Sequence, residues 1–318
     1  MRQKQRSFAD DGWAIWIDGD YTSTVYINDW LNPKGKSYVD LAIRVRGVKA
    51  SKSLHVYVPF KVTKEEIDDV SLRFNDKKIL QATFSAACIV DYMKNAYTSE
   101  IAYNGKTIDL VHISTLDYKA EELSRGTHIT IDIESLHQFL ENDESYFIWR
   151  MPHKSLDEIF KSSISVGNVL TRIRDLITSP VISEKYGYSI RINESRLLPE
   201  EITRIGGFHR QKLKKAVITL SVDENYELND SGCYRIRRLE EGLYEKYLPK
   251  GYKCDDVITY QWQQNRDDDF KGHFNFYYSI VKNSVSKASM LFYMVLLLGI
   301  GVFGDLLSEL FKMLIGLA

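Results

Sequence analysis

The segment Arg204 to Lys215, with the sequence RIGGFHRQKLKK, gathers residue types that bind phosphate groups. Backbone amides at the turn Gly206-Gly207, beside Arg and Lys side chains, suit an anion. An aromatic ring in the same segment could stack on a nucleobase. The alternative is a solvated basic loop, or a loop that faces anionic lipid. The candidate phosphate or nucleotide ligands are Arg204, Phe208, His209, Arg210, Lys212, Lys214 and Lys215.

Two smaller basic groups accompany this segment. Arg235, Arg237 and Arg238 form one group, and Arg44 and Arg46 form the other. The whole chain has 42 Lys and Arg against 43 Asp and Glu, for a net charge of -1. This balance excludes a globally basic nucleic-acid-binding protein but leaves room for a local basic patch.

No set of residues in the sequence predicts catalysis. The seven histidines form neither H-x-x-x-H nor H-E-x-x-H, and the three cysteines lack a C-x-x-C spacing. Asp18-Gly19-Asp20 could hold a divalent metal, but a turn with two solvated carboxylates is the commoner use of D-x-D. We therefore expect a protein that is not an enzyme and that needs no cofactor or metal.

The C-terminus predicts a single transmembrane helix. Ala288 to Gly304 are 17 residues without a charge, which cover about 26 Å as a helix. Continuing the helix to Phe311 gives enough length to cross the hydrocarbon core of a bilayer. The alternative is a buried core helix. Gly299, Gly301 and Gly304 match G-x-G-x-x-G, but inside an apolar run they indicate close helix packing rather than dinucleotide binding.

The distal half of this helix has one polar stripe. At about 100° per residue its polar side chains fall within an arc of roughly 100°. Several copies that packed with the stripe inward would line a polar pore. The alternative is that these residues lie in the far headgroup layer. The pore-lining candidates are Gly301, Asp305, Ser308, Glu309 and Lys312.

The orientation follows from the residues that flank the span. Lys282 and Lys287 precede it and only Lys312 follows the apolar run, which places the N-terminal region in the cytoplasm. The polar start, Met1 to Asp11, is not a signal peptide and is expected to be disordered. We therefore expect a single-pass protein of the cell inner membrane.

The remainder of the chain predicts mostly strands. Tyr38 to Arg46 alternates apolar and polar residues, and Asn104-Gly105 predicts a hairpin turn. Thr63-x-x-Glu66 predicts a short helix to about Phe74, and Ser155 to Ile177 a longer helix. A last hairpin, 257–281, leads into the span. The other predicted strands are 54–60, 101–103, 107–113, 127–133, 146–151, 188–192 and 217–222.

The predicted fold is α+β: a mostly antiparallel, β-rich soluble region followed by one transmembrane helix. A faint repeat relates Glu65-Glu66-Ile67 to Glu200-Glu201-Ile202, about 135 residues later. It suggests two related sandwich- or barrel-like domains, although chance similarity explains it equally well. The proposed parts are a disordered start (1–11), two β-rich domains (12–150 and 151–282) and the membrane helix (283–318).

This layout is similar to bacterial phage-defence effectors with a cytoplasmic β-rich sensor and a C-terminal membrane segment, such as the Hailong-type channel effectors. The resemblance rests on the order of the parts and on the tail Ala288 to Ala318. It implies an oligomeric, ligand-gated pore that responds to a nucleotide or oligonucleotide second messenger. A tail-anchored scaffold or adaptor, whose helix is only an anchor, is the alternative.

Overall fold

The computed structural model of the chain describes most of the β-rich part and the C-terminal helix. The predicted helix over Ser155 to Ile177 lies outside the described residues, as do residues 1–9 of the N-terminal segment predicted to be disordered. The described residues are 10–32, 36–84, 86–153, 182–208, 212–228, 232–266, 273–284, 287–314 and 316.

Seven strands form the first sheet. They are β1 (Asp10–Gly19), β4 (Ser51–Val58), β8 (Lys119–Glu122), β9 (Thr127–Asp132), β11 (Ile182–Ile192), β13 (Tyr226–Leu228) and β16 (Phe274–Ser284). Their order across the sheet is β13-β16-β11-β1-β4-β9-β8. The pair β1–β11 is parallel, whereas β1–β4, β4–β9 and β8–β9 are antiparallel.

Nine strands form the second sheet. They are β2 (Thr22–Leu31), β3 (Ser37–Arg46), β5 (Cys88–Asp91), β6 (Thr98–Tyr103), β7 (Lys106–Val111), β10 (Glu144–His153), β12 (Leu213–Asp223), β14 (Arg235–Arg238) and β15 (Val257–Asn265). Their order is β14-β15-β12-β2-β3-β10-β7-β6-β5. The pairs β2–β12 and β7–β10 are parallel and the other neighbours are antiparallel.

Within the described residues the α-helices are α1 (Lys77–Phe84), α2 (Glu200–Thr203) and α3 (Lys287–Leu314). Two mostly antiparallel mixed sheets followed by an apolar helix confirm the predicted fold class. The Asn104-Gly105 turn is confirmed too, because both residues have positive φ angles between β6 and β7.

The structure corrects two local predictions. β15 and β16 do not form a hairpin, because β15 pairs with β12 and β14 whereas β16 belongs to the other sheet. The capping box of Thr63 and Glu66 exists, but it opens a 3-10 turn, Lys64–Glu66, rather than a helix to Phe74. A second 3-10 helix, Val70–Asn75, follows it with Asp69 as its N-cap.

Contacts divide the chain into two compact units. The first comprises residues 1–161, 187–224 and 230–278, and the second comprises 162–186, 225–229 and 279–318. Within the first unit, β1 pairs with β11 and β2 with β12, so strands from both sides of residue 150 are neighbours. Of the suggested repeat, Lys77-Lys78 begins α1 and Lys214-Lys215 lies in β12.

Both faces of the nine-stranded sheet are covered. Trp262 of β15 stacks on Tyr278 of β16, with ring centroids 5.5 Å apart, so one face contacts the other sheet. On the other face, Phe74 from the second 3-10 helix, Leu80 from α1 and Tyr247 from a later loop form a second buried cluster with the strands. On the polar side of the predicted strand at 38–46, Asp40 is therefore buried and Arg44 half-buried, whereas Arg46 at its end is exposed.

Candidate functional site

A cavity of about 270 Å³ lies within the first unit, between one face of the nine-stranded sheet, α1 and the loop that follows β14. Side chains two residues apart on a strand share a face, so each strand contributes alternate positions to the wall. The lining residues are Tyr26, Asn28, Trp30, Asp40, Ala42, Arg44, Ala82, Thr83, Phe84, Tyr103, Tyr146, Ile148, Thr219, Ser221, Arg237, Leu239, Tyr244, Tyr247, Thr259 and Gln261.

The strand register brings the polar lining residues into rows. Asn28 of β2 lies opposite Asp40 of β3 on one side and Thr219 of β12 on the other. Thr219 lies opposite Gln261 of β15 in turn. The Asn28 amide and the hydroxyl of Ser221 are 3.0 Å apart. This row therefore presents amide and hydroxyl groups that can hydrogen-bond the edge of a ligand.

Aromatic rings form much of the remaining wall. Phe84 of α1 lies 4.9 Å from the ring of Tyr103 and 5.4 Å from the ring of Tyr146, measured between centroids. Tyr26 contacts Tyr146 at 6.3 Å. Flat, closely spaced rings provide surfaces on which a planar ligand can stack.

The phenol groups of this wall are neutral hydrogen-bonding groups. Burial raises the pKa of Tyr26, Tyr103 and Tyr244 above the ordinary value of 10.0, so they stay protonated at neutral pH. The Tyr103 hydroxyl is buried and has no hydrogen-bond partner among the described residues. A buried polar atom without a partner calls for an explanation, and a ligand in the cavity would supply one.

Asp40, the carboxylate in the wall of the cavity, is neutralised by a neighbouring arginine. Arg150 donates to both oxygens of Asp40, with Nε–Oδ1 at 2.5 Å and Nη2–Oδ2 at 2.8 Å. Trp30 Nε1 donates to Asp40 Oδ2 at 2.8 Å. Burial by itself lowers the pKa of Arg150, but the charge of Asp40, its hydrogen bonds and weaker neighbouring charges together hold this pKa above its ordinary value. Asp40 therefore does not repel an anion as a free carboxylate would.

Two arginines line the cavity from strands on different sides. Arg44 Nε donates to Glu144 Oε1 at 2.5 Å, and its guanidinium lies 5.6 Å from the ring of Tyr103. The guanidinium of Arg237 lies 5.6 Å from the ring of Tyr244. Within the part of the chain that the structure describes, no carboxylate pairs with Arg237. The cavity thus has one paired cation and one unpaired cation, which favours an anionic ligand.

Within the described residues of the predicted phosphate-binding segment, Phe208 and Gly207 have other partners. Phe208 is 1% exposed and packs edge-on against Trp16, with centroids 5.5 Å apart, so it fills the core rather than stacking on a base. At Gly207 an added Cβ would lie 1.8 Å from Asp18 Oδ1, so a carboxylate occupies the space that a phosphate would need.

Two cations of that segment already have carboxylate partners. Arg204 pairs with Glu200 and Lys212 with Asp20. The adjacent residues Lys214 and Lys215 lie at the start of strand β12, where the pairing with β2 shifts register between Leu213 and Lys215. His209 and Arg210 lie outside the described residues.

Two histidines that share no sequence motif meet in the other sheet. His55 Nδ1 lies 3.2 Å from His128 Nε2, and His55 Nε2 lies 3.3 Å from Asp18 Oδ2. Trp16 stacks on the ring of His55 at 4.7 Å. Burial and the neighbouring His55 lower the pKa of His128 to about 4, so this ring is neutral at pH 7. Within the described ranges, no three His, Cys, Asp or Glu side chains come together in a way that could hold a metal ion.

The pore-lining candidates all lie on α3. Its segment Met290–Met313 has 24 residues with a mean hydropathy of 2.2, long and apolar enough to cross a membrane, and its side chains are not buried in the protein. Because the helix is continuous, Gly301, Asp305, Ser308 and Lys312 share one side of it, with Glu309 beside Ser308.

The comparisons with known proteins add no family. No family model matches the chain, and no curated protein matches it. Among solved structures, the Fcho1 Mu homology domain (Danio Rerio) with bound Eps15 peptide aligns with 87% of this chain and 81% of that chain. The sequence identity is 8% and the TM-score 0.11, at which the likeness carries no inference about fold or function.

The sequence does not predict this cavity, because its lining residues come from seven strands, a helix and a loop. In the sequence, Arg44 and Arg237 are members only of the two minor basic groups. A usable signal was the alternation of Tyr26, Asn28 and Trp30 on β2. Aromatic and amide residues at every second position predict a strand face that is internal yet polar.

Proposed function

We propose that the chain is an oligomeric membrane effector that opens an ion-conducting pore when its cytoplasmic β-rich part binds an anionic, nucleotide-like ligand. The observation that carries the proposal is a cavity walled by aromatic rings with the unpaired cation of Arg237 at its side, in a chain that ends in an exposed apolar helix. Aromatic faces suit a base, and arginine suits a phosphate.

The size of the cavity restricts the ligand. Ligand pockets commonly measure about 300–1,000 Å³, so about 270 Å³ is at the small end. One nucleobase with part of its sugar and phosphate fills such a space. A mononucleotide would occupy the cavity alone, and a longer second messenger would insert a single base.

Gating would follow from the chain connection between the sheet and the span. β16 ends at Ser284 and α3 begins at Lys287, so only two residues separate them. A ligand that binds one arrangement of the β-rich part more tightly shifts the population toward that arrangement. Such a short link would transmit the change to the helices, which line the pore with the stripe from Gly301 to Lys312.

The location and setting belong to the same proposal. The span would cross the cell inner membrane once with the N-terminal region in the cytoplasm, in keeping with Lys282 and Lys287 before it. Defence against phage is the setting that the resemblance implies.

The proposal is tested by binding and by ion flux with the same protein. Purified full-length chain in detergent is titrated calorimetrically with nucleoside monophosphates, a short oligonucleotide and inorganic phosphate. Arg237→Ala should weaken binding of the nucleotide probe at least about tenfold, because a charge-assisted hydrogen bond contributes roughly 1.5–3 kcal/mol.

A matched control comes from the same strand. Arg238 lies on the opposite face of β14 and pairs with Glu224 at 2.7 Å, so Arg238→Ala should leave nucleotide affinity unchanged. The proposal fails if no probe binds, or if the two variants weaken binding equally.

The tail-anchored scaffold is separated from the pore by exchanging the helix. Residues 288–318 are replaced by an unrelated poly-leucine span, and the nucleotide that binds is added to liposomes that contain the protein. Loss of ion flux with retained binding supports the pore. Retained biological activity with this span would support the scaffold instead.

A further inference from the structure

Among the described strands, the nine-stranded sheet ends in two edge strands, β14 on one side and β5 on the other. An edge strand leaves a row of backbone N–H and C=O groups without a neighbouring strand, and this row is a template for pairing with another chain. Each of these strands has four residues. The two edges are therefore of matched length.

Both edges expose large apolar side chains. Ile236 on β14 is 62% exposed, Tyr234 just before it is 72% exposed, and Ile89 on β5 is 76% exposed. The edge strand β8 of the other sheet carries Lys119, Glu121 and Glu122, and charged side chains of this kind discourage pairing. The three arginines of β14 likewise discourage pairing with a second β14, whereas β5, which carries Asp91, would oppose them with unlike charge.

The exposed residues lie on the same face of the sheet. Arg237 of β14 lies opposite Thr259 and points to the cavity face, so Ile236 and Arg238 point to the other face. On β5, Cys88 lies opposite the cavity residue Tyr103, so Ile89 and Asp91 also point away from the cavity. Joining the two edges would place Ile236 beside Ile89.

The charges of the two edges are complementary. β14 has the sequence RIRR, and β5 has the sequence CIVD. Arg238 and Asp91 are both exposed and lie on the same face as the two isoleucines. Arg238 pairs with Glu224 of its own chain, and Asp91 has no ion-pair partner among the residues that the structure describes. A contact between the edges would bring a basic strand beside an acidic end.

The topology fixes the direction of such a contact. From β14 to β5 the sheet has six antiparallel and two parallel neighbour pairs, so β14 and β5 run in the same direction. If a second copy is rotated about an axis roughly parallel to the strands, its β5 therefore runs parallel to β14 of the first copy. Such a contact is head-to-tail, and it forms a closed ring when the rotation between neighbouring copies adds up to a full turn.

We propose that β14 of one copy pairs in parallel with β5 of the next copy, so that the nine-stranded sheets continue from chain to chain around a ring. This inference rests on the proposed oligomeric effector and identifies the surface that assembles it. A ring of this kind orients every copy in the same way relative to the membrane, as a pore of C-terminal helices requires.

Charge substitutions at the two isoleucines test the contact. In Ile236→Asp the new carboxylate faces Asp91 of the next copy, and in Ile89→Arg the new cation faces Arg238. Each single variant should reduce the oligomeric fraction of the full-length protein in detergent severalfold, as measured by light scattering or native mass spectrometry.

Mixing the two variants should restore the oligomer, because the new Asp then meets the new Arg while the native edges still match. The double variant should assemble for the same reason. Lys119→Asp is the matched control, since Lys119 is exposed on β8 at the edge of the other sheet, and assembly should not change. Circular dichroism and thermal unfolding verify that the variants fold.

A photo-crosslinking residue in place of Ile236 reports the contact directly. Crosslinked peptides should contain residues 86–103 of a second copy. The strand pairing would be overturned if the wild-type protein were oligomeric and neither single variant weakened the oligomer, or if mixing the two variants did not restore it. Either result would leave the pore proposal intact. A wild-type protein that is monomeric in detergent would contradict the oligomeric effector itself.

Discussion

Asp29 is the residue whose ionisation bears most directly on stability. It lies on β2, on the face opposite to the cavity, and is 1% exposed. The Tyr278 hydroxyl donates to its Oδ2 at 2.7 Å, and its Oδ1 has no hydrogen-bond partner among the described residues. Burial raises the pKa of Asp29 from 3.8 to about 7, although the Tyr278 bond partly opposes this rise. The folded protein therefore favours the protonated carboxyl.

The sign of the pH effect follows from proton counts. Between about pH 4 and pH 7 the folded protein binds a proton at Asp29 that the unfolded chain has released, so stability falls as the pH rises through this window. Asp29→Asn removes the charge and keeps an acceptor for Tyr278. We expect the free energy of unfolding of the variant to exceed that of wild type by about 1–3 kcal/mol at pH 8, and by much less at pH 5.

Unfolding by urea in detergent, followed by tryptophan fluorescence, measures this difference. Asp117→Asn is the control, because the Asp117 side chain is fully exposed, and its effect should be small at both pH values. If the advantage of Asp29→Asn were the same at pH 5 and pH 8, the carboxyl would not be protonated in the folded state.

At the scale of elements, the turn after α2 has a strict requirement for glycine at one position. Gly207 has a φ of +86°, and an added Cβ would meet Asp18 Oδ1 at 1.8 Å. At the adjacent Gly206 an added Cβ meets nothing within 4 Å. Asp18 in turn lies 3.3 Å from His55, so a displaced carboxylate would lose this partner.

Alanine substitutions at the two glycines should therefore differ. Gly207→Ala should lower the free energy of unfolding by about 1–3 kcal/mol, because a non-glycine residue there adopts a strained conformation. Gly206→Ala should leave it unchanged within about 0.5 kcal/mol or raise it slightly. Thermal and urea unfolding of both variants decide the matter, and equal effects would contradict the close approach of Gly207 to Asp18.

Sequence patterns predict individual strands and turns better than they predict which strands pair with each other. Tyr38 to Arg46 and Asn104-Gly105 are local signals, since alternation and positive φ are properties of one strand or one turn. Pairing is not local: β2 pairs with β12 across almost 200 residues, and adjacent strands β15 and β16 enter different sheets. For this reason the strands could be predicted and the cavity that they build could not.

Burial distinguishes the predicted site residues from the residues that line the cavity. Phe208 and its basic neighbours form a phosphate-binding pattern in the sequence, yet the ring is needed for the core around Trp16. Arg237 has no distinguishing pattern in RIRR, and only its place beside Tyr244 singles it out. The residues that pack against Phe208 and the carboxylates that pair with the basic side chains lie far from them in the sequence. Composition alone therefore could not show which of the two basic groups is available to a ligand.

For the whole molecule, strand β14 links the two proposals. Arg237 lines the cavity from one face of β14, and Ile236 marks the exposed edge on the other face. A ligand that contacts Arg237 would thereby order the strand that is proposed to join the next copy. Binding and assembly would then reinforce each other, since effects of two ligands on one element are reciprocal.

The polar stripe of α3 gives the last prediction. Asp305→Asn combined with Glu309→Gln keeps side-chain size but removes two carboxylates that would line the pore. Ligand-triggered cation flux in liposomes should fall about threefold or more, because rings of carboxylates raise the local cation concentration. Membrane insertion should not change, since the substitutions remove charge from an apolar helix.

Leu310→Ile serves as the control for this variant, because Leu310 lies about 140° around the helix from Asp305. Flux and selectivity should match wild type. If the double variant conducted like wild type, the stripe would lie outside the ion path, in the far headgroup layer. The nucleotide titration on the same protein would show whether the sensor still binds, so that a failed pore and a failed ligand site give different results.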